Sequence, residues 1–188
     1  INCDSENYDE LTVGSAGGID LSFERTLRRE APQAGTAYQL DVRGLLGGHS
    51  GERIGDGRGN AIRTLALILL ALQKQGEVQV ADFHGGKAHN AIPNIAQATF
   101  VTSLSKEAVE KVLATEKEKY LAIYGSVDPD IELVLTETAS PSGVLIAGDT
   151  KRLLQLLTVM HSGVYAMSTV IPGLVETSAN LGVVKMNE

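Results

Sequence analysis

Between Tyr38 and Thr136 the sequence alternates strand-like and helix-like patterns in an order that few folds accommodate. Apolar and polar residues alternate in the strand-like segments, whereas apolar residues recur at helical spacing in the two helix-like segments. The predicted order is strand, helix, strand, strand, helix, strand, over the segments 38–43, 60–75, 78–83, 95–101, 105–123 and 131–136. This order is that of the ferredoxin-like fold, an antiparallel sheet with helices on one face.

Further elements flank this predicted unit. Apolar and polar residues alternate over 19–24, which predicts an extra strand in an antiparallel hairpin with the first strand of the unit. Asn60 and Ser105 are expected to cap the two helices, and Asp149 to cap a C-terminal helix that runs through Met160. The predicted fold class is therefore α+β, an α/β sandwich of ferredoxin-like type with an extra strand and a C-terminal helix.

The composition of the 188 residues limits the classes of function. Sixteen basic and 23 acidic residues give a net charge of −7, which argues against non-specific binding to nucleic acid or to an anionic membrane. The longest apolar run, 65–72, has eight residues, whereas a membrane span needs roughly 20. Cys3 is the single cysteine, which excludes an internal disulfide and favours a cytoplasmic location. Because Ile1 is not a start methionine, we expect a segment of a longer protein.

A histidine between glycines is the first candidate functional residue. In Gly47-Gly48-His49-Ser50-Gly51 the glycines allow backbone conformations that other residues avoid, so His49 is predicted to lie on an adaptable turn. One interpretation is a histidine in a tight surface turn. The other is a donor to a substrate group or to a developing oxyanion. A nucleophile pair with Ser50 is less favoured, because adjacent residues on a turn rarely point at each other.

Asn90, in the segment 89–93, is the second candidate. It is either a turn asparagine before a strand or an amide that donates to and accepts from a substrate. His84 and His89 lie five residues apart in a glycine loop, a spacing that disfavours a metal pair. The glycine-rich run 55–60 lacks the Lys-Ser/Thr ending of a phosphate-binding loop, so a flexible start to the following helix is favoured.

Six short segments carry a family resemblance, and they occur in order along nearly the whole chain: NCDSE (2–6), GSAGG (14–18), GLLGGHSG (44–51), GRGNA (57–61), NAIP (90–93) and GLVETSANLG (173–182). Together they resemble the aminoacyl-histidine dipeptidases (Xaa-His dipeptidases, carnosinase-like) of the di-zinc aminoacylase and carboxypeptidase superfamily. The resemblance implies a catalytic domain that binds two zinc ions and an inserted lid. Residues 19–170 would form the lid or dimerisation domain, 1–18 a remnant of the catalytic domain, and 171–188 a return strand toward it.

The resemblance also implies roles for three residues. Asp4 matches a metal ligand of the family, His49 the lid histidine that reaches an active site in cis or across a dimer, and Asn90 a substrate-binding asparagine. The family's upstream His-x-Asp motif, adjacent Glu-Glu pair and final histidine ligand are absent from the sequence, so the chain alone is expected to bind zinc poorly and to be inactive. His89 stands where relatives often carry arginine, and 163–168 offers no arginine for a substrate carboxylate.

The predicted function is therefore that of a lid and dimerisation segment of a zinc-dependent dipeptidase, with an Xaa-His-type dipeptide as its substrate. The expected partners are the remaining catalytic domain and a second copy of the protein. Two alternatives stay open. A stand-alone ferredoxin-like module that binds a small molecule or dimerises would explain the same order of elements without chemistry. The lid of a related tripeptidase or deacylase would share the superfamily motifs.

Overall fold

A computed structural model describes residue 14 and residues 16–187 of the chain. These residues form ten strands and four α-helices. The strands are β1 (Arg29–Glu30), β2 (Thr36–Arg43), β3 (Gly48–His49), β4 (Val78–Gly85), β5 (Ala91–Ile92), β6 (Ala96–Thr102), β7 (Glu132–Glu137), β8 (Val144–Leu145), β9 (Gly163–Met167) and β10 (Val175–Ala179). The helices are α1 (Ser50–Arg53), α2 (Ala61–Gln73), α3 (Lys106–Tyr124) and α4 (Ala147–Val159), and a 3-10 turn covers Ile54–Asp56.

The largest sheet confirms the predicted fold class. It has four strands in the order β4-β6-β2-β7, and each neighbouring pair is antiparallel. The first and third strands of the predicted unit, β2 and β6, therefore lie at the centre, as the ferredoxin-like order requires. Leu40 of β2 faces Ala98 on one side and Leu135 on the other.

The core lies between this sheet and the helices. Helix α2 packs against the sheet and against both α3 and α4. Most of its apolar run is buried, and Leu65, Leu69 and Leu72 have no exposed surface, whereas Leu67 is about half exposed. Across from them, Phe83 and Phe100 on the sheet are also fully buried. Burial of each such side chain stabilises the fold by about 1.5–3 kcal/mol, so the packing of α2 is a main source of stability.

Two of the three predicted helix caps are confirmed. The Asn60 side chain accepts from the Arg63 N–H, and the Ser105 hydroxyl accepts from the Ala108 N–H. The cap predicted at Asp149 is wrong, because α4 already begins at Ala147 and has no side-chain cap.

Asp149 instead lies in the first turn of α4 and binds a distant arginine. Its carboxylate accepts from the backbone N–H, Nε and Nη2 of Arg28 at 2.9–3.1 Å. Arg152 donates to the same carboxylate at 3.1 Å. A bidentate guanidinium offers stronger, charge-assisted hydrogen bonds than the helix N-terminus does, which explains the difference from the prediction.

The extra strand is also displaced from its predicted position. Residues 19–24 form no regular secondary structure, and Ile19, Leu21 and Phe23 are 74–87% exposed. The strand before β2 is β1, and it pairs with β8 rather than with β2. Both edges of β2 are already occupied by β6 and β7, so no edge is left for the predicted hairpin.

Within residue 14 and residues 16–187, no helix has both the length and the apolar character that crossing a membrane requires.

The contact between Arg28 and Asp149 predicts a specific acid sensitivity. Hydrogen bonds from Arg28 hold the pKa of Asp149 well below its usual value of 3.8. A depressed folded-state pKa means that the contribution of Asp149 is complete above about pH 4 and is lost as the pH falls through the folded value. We expect Asp149→Asn to lower the urea midpoint at neutral pH and to flatten its decline on acidification. Asp130→Asn, at an exposed position, is the control and should keep the wild-type decline. Parallel wild-type and Asp149→Asn profiles would contradict the prediction.

Candidate functional site

The structure brings His49 and Asn90 together. Strands β3 and β5 form a short antiparallel ribbon in which His49 pairs with Ala91, the neighbour of Asn90. The Ser50 N–H then donates to the Asn90 carbonyl oxygen at 2.8 Å. Backbone pairing therefore brings His49 and Asn90, which are far apart in sequence, to neighbouring positions at one end of the ribbon.

The side chain of His49 is exposed at the start of α1. His49 occupies the N-cap position with an extended backbone, and its imidazole makes no hydrogen bond to another residue of the described part of the chain. The ring lies over Gly51, where an added Cβ would come within 3.1 Å of the His49 Cε1 atom. Gly47 and Gly48 have φ angles of 61° and 116°, a region that strains other residues. Gly47 and Gly48 thus allow the backbone to turn before His49, and Gly51 leaves space for the imidazole ring.

Asn180 clamps the loop that carries Asn90. Its Nδ2 group donates to the carbonyl oxygens of His89 at 3.1 Å and of Ala91 at 2.7 Å, on both sides of Asn90. Gly182 lies against the same loop, because a Cβ there would come within 2.7 Å of the His89 oxygen. The backbone on each side of Asn90 is therefore fixed while its own side chain stays exposed.

Arg58 holds the other half of the ribbon. Its Nη1 atom donates to the Gly47 carbonyl oxygen at 2.6 Å, and its Nη2 atom bonds Asp56 at 2.9 Å. The sequence alone predicted no role for Arg58 or Asn180. Both stand within segments that carry the family resemblance, GRGNA and GLVETSANLG, and that was the one signal pointing to them.

His84 and His89 each lie beside a different aspartate. The Nε2 atom of His84 lies 2.7 Å from Asp82, whereas the Nδ1 atom of His89 lies 2.9 Å from Asp20. Across residue 14 and residues 16–187, no group of three or more His, Cys, Asp or Glu residues could hold a metal ion. Asp4, the metal ligand implied by the resemblance, lies outside the described residues.

Comparison with known proteins gives the family. Residues 40–125 match the peptidase dimerisation domain family. The chain is 37% identical over 190 residues to the cytosol non-specific dipeptidase of Escherichia coli (strain K12), an alignment that covers 100% of this chain and 39% of that protein. The fold matches the crystal structure of aminoacylhistidine dipeptidase from Vibrio alginolyticus with a TM-score of 0.81 and 32% identity. That match covers 86% of this chain and 34% of the other.

These matches define a peptidase dimerisation domain. Residues 40–125 are similar to the dimerisation domain of M20 peptidases, and both relatives are dipeptidases by name. The resemblance predicted from the sequence is therefore confirmed at the level of the family. The chain spans 39% of the curated relative's length.

The clamp on the Asn90 loop can be tested at Asn180. Asn180→Ala removes two hydrogen bonds, and Asn180→Asp places a carboxylate oxygen opposite carbonyl oxygens, which can only repel it. We expect both variants to destabilise the protein, Asn180→Asp by more, with a cost on the order of 1–3 kcal/mol for the groups left unsatisfied. Urea unfolding gives the order, and amide exchange should be fastest over 88–92. Equal stability of the two variants would contradict the role of the Nδ2 group.

Proposed function

We propose that the chain is the lid and dimerisation segment of a zinc-dependent dipeptidase that hydrolyses Xaa-His-type dipeptides. The observation that carries this proposal is the β3–β5 ribbon, which brings two exposed polar residues, His49 and Asn90, to neighbouring backbone positions. The names of both relatives support a dipeptidase, and the name of the Escherichia coli protein supports a cytoplasmic location. A stand-alone ferredoxin-like binding module is less favoured, because neither relative is such a protein.

In this proposal residues 19–170 form the lid, while residues 1–18 and 171–188 connect it to the catalytic part of the parent protein. Strands β9 and β10 pair across the second boundary, so the return segment begins as one arm of a hairpin. Asn180 on that segment then clamps the Asn90 loop. The connection to the rest of the parent would therefore run directly beside the candidate site.

His49 and Asn90 have different roles in the proposed reaction. Attack on a peptide carbonyl places negative charge on its oxygen, and an imidazole N–H aimed at that oxygen stabilises the charge. One such donor typically contributes about 3 kcal/mol to the transition state. Asn90 offers both a donor and an acceptor, which suits a peptide group that must be held in one orientation. A lid that closes over the substrate also excludes water from the site.

The metal of the proposed enzyme does not fit the residues of the lid. A catalytic zinc site needs three protein ligands that converge, and within the described part of the chain no three candidate ligands do so. We therefore assign both zinc ions to the catalytic part of the parent, with Asp4 contributing one ligand. The lid would contribute hydrogen bonds to the substrate and a surface that closes over it.

Substitution of His49 tests the proposed role in catalysis. In the intact protein that carries this chain, His49→Ala should lower kcat by about 10²–10³-fold, the usual cost of one lost oxyanion donor. Zinc content should stay unchanged, because the ligands lie elsewhere. The matched control is Ser50→Ala, which alters the adjacent side chain and should retain wild-type turnover. Unchanged turnover in His49→Ala would remove His49 from catalysis.

The sheet offers one edge for a second copy of the protein. Strand β7 pairs with β2 on one side, and no residue of the described part of the chain pairs with its other side. The Thr138 N–H donates to the Ala37 oxygen, so by the alternation of an antiparallel pair the N–H groups of Leu133 and Leu135 point away from β2.

An apolar groove runs along this free edge. It has a volume of about 290 Å³ and lies between α3 and β7, where its walls combine the apolar Leu113, Ala114, Leu133 and Leu135 with the charged Glu110 and Lys117. An exposed strand edge beside apolar side chains is a surface that a second chain can cover. We therefore place the homodimer contact at β7 and α3.

Proline at position 135 tests this contact. Leu135→Pro removes an outward N–H without removing a bond to β2, and proline is tolerated on edge strands. We expect a dimeric wild-type protein and a folded, monomeric Leu135→Pro variant, measured by light scattering with circular dichroism as the check on folding. Leu135→Val is the matched control, because it shortens the side chain but keeps the N–H, and it should remain dimeric. A dimeric Leu135→Pro protein would place the contact elsewhere.

A further inference from the structure

A carboxylate buried behind the His49 loop has no role in the proposed reaction. Asp128 follows α3 and is completely buried. Its Oδ1 atom accepts from the Leu46 N–H at 3.0 Å. Its Oδ2 atom accepts from the Gly59 N–H and from the Tyr120 hydroxyl, both at 3.1 Å. Among the described residues no Lys, Arg or His forms an ion pair with it, so its charge is balanced by hydrogen bonds alone.

Two of these donors are the two ends of one loop. The segment 46–59 leaves the end of β2, carries His49, and returns to the start of α2. Leu46 lies just before the glycines that precede His49, and Gly59 lies just before the N-cap residue of α2. A single carboxyl group therefore closes the loop at its base.

The base of the loop is held by further contacts that require this geometry. A Cβ at Gly59 would collide with the Tyr120 hydroxyl, so only glycine allows Tyr120 to reach Asp128. Burial, with the nearby Asp128 charge, raises the pKa of Tyr120, so the phenol keeps the proton that it donates. Arg58, near one end of the loop, donates to the Gly47 oxygen near the other end. Asp128 and Arg58 thus both connect the beginning of the 46–59 loop to its end.

Both oxygens of Asp128 face donors, and this explains why the residue is an acid. Asparagine has the same shape, but one of its two positions is an NH₂ group that can only donate. An asparagine here would place a donor against the Leu46 N–H, or against the Gly59 N–H. The substitution Asp128→Asn would therefore keep the volume of the side chain and lose one end of the loop closure.

We propose that Asp128 is a positioning residue for His49: by closing the base of the 46–59 loop, it sets where the imidazole stands relative to Asn90 and the substrate. Asp128 touches no substrate and acts only through the loop. This proposal rests on the proposed role of His49. Its structural half, the closure of the loop, can be measured without any activity.

The structural half is tested by amide hydrogen exchange in the intact protein. In Asp128→Asn the amides of Leu46, Gly47 and Gly59 should exchange faster by about tenfold or more, as local opening becomes easier. Amide exchange in the central strands β2 and β6 should be faster than in the wild type by one small factor that is the same for all their amides, because global unfolding sets that factor. Unchanged exchange at the loop base would overturn the proposal.

The functional half is tested by kinetics. Asp128→Asn should lower kcat by about tenfold to a hundredfold, the scale of a roughly 1 Å misplacement, with KM within about twofold of wild type. In a His49→Ala background the same substitution should cause no further loss. If Asp128→Asn lowers kcat by the same factor with and without His49, then Asp128 acts independently of His49 and the proposal fails.

The control separates positioning from general destabilisation. Thr150 is fully buried on α4, where its hydroxyl accepts a hydrogen bond from the Val80 N–H and donates one to the Leu145 carbonyl oxygen. Thr150→Val removes these bonds at constant volume and should lower the melting temperature while leaving kcat unchanged. A fall in kcat in Thr150→Val as large as that in Asp128→Asn would mean that lost stability alone explains the effect, and would overturn the proposal.

A second variant covers the case in which Asp128→Asn does not fold. Arg58→Gln removes the other bridge across the loop base from a side chain outside the core, so we expect folded protein with faster exchange at Gly47 and a reduced kcat. Wild-type exchange in this variant would count against closure of the loop. If His49→Ala itself retains full turnover, the proposed function fails, and faster exchange in Asp128→Asn still shows that the loop closure is real.

Discussion

Burial of α2 against the sheet is the interaction on which the rest of the structure depends. The helix contacts the sheet, α3 and α4, and the apolar side chains on its inner face are almost completely buried. Its first turn is also a junction of polar contacts. Asn60 caps the helix and, through Nδ2, donates to the Ser162 hydroxyl and the Leu181 oxygen, so the C-terminal segment is tied to the start of α2. The adjacent Gly59 binds Asp128, which fixes the loop that leads from His49. The position of the candidate site therefore follows from the position of one buried helix.

The candidate site is held by backbone contacts, and its functional side chains are left exposed. His49 and Asn90 are placed by the β3–β5 ribbon, while Asn180 and Arg58 bind carbonyl oxygens on either side of them. This division suits a site that must meet a substrate, because a side chain already satisfied by the protein would have to break a bond first. In the proposed function, it also separates the residues that fix the geometry from the residues that would contact a ligand.

Regular elements could be predicted from the sequence because their patterns are local. Periodicity and the caps at Asn60 and Ser105 indicated the ferredoxin-like order, and the glycine-flanked His49 and Asn90 were found as motifs.

The strand predicted from the alternation over 19–24 was wrong, because an alternating pattern does not show whether a sheet has a free edge for that strand. The helix cap predicted at Asp149 was wrong, because its partner Arg28 is 121 residues away in sequence and no local pattern reveals it. The ribbon, with two residues in each strand, is too short for any periodic signal. Asn180 and Asp128 were missed for the same reason as Arg28, since they act on segments 89 and 82 residues away.

A buried carboxylate is an expensive way to close a loop, and this cost is informative. Asp128 is removed from water, and no cationic side chain among the described residues forms an ion pair with it. Two apolar side chains could join the same segments at lower cost in desolvation. Apolar contacts have no direction, however, and they would allow the loop to slide. Hydrogen bonds from Leu46 and Gly59 to one carboxyl group fix both ends of the loop within a few tenths of an ångström and in angle. Such directional contacts are what a side chain needs if it must present one nitrogen to one atom of a substrate. If His49 acts as proposed, its placement accounts for the cost in stability at Asp128.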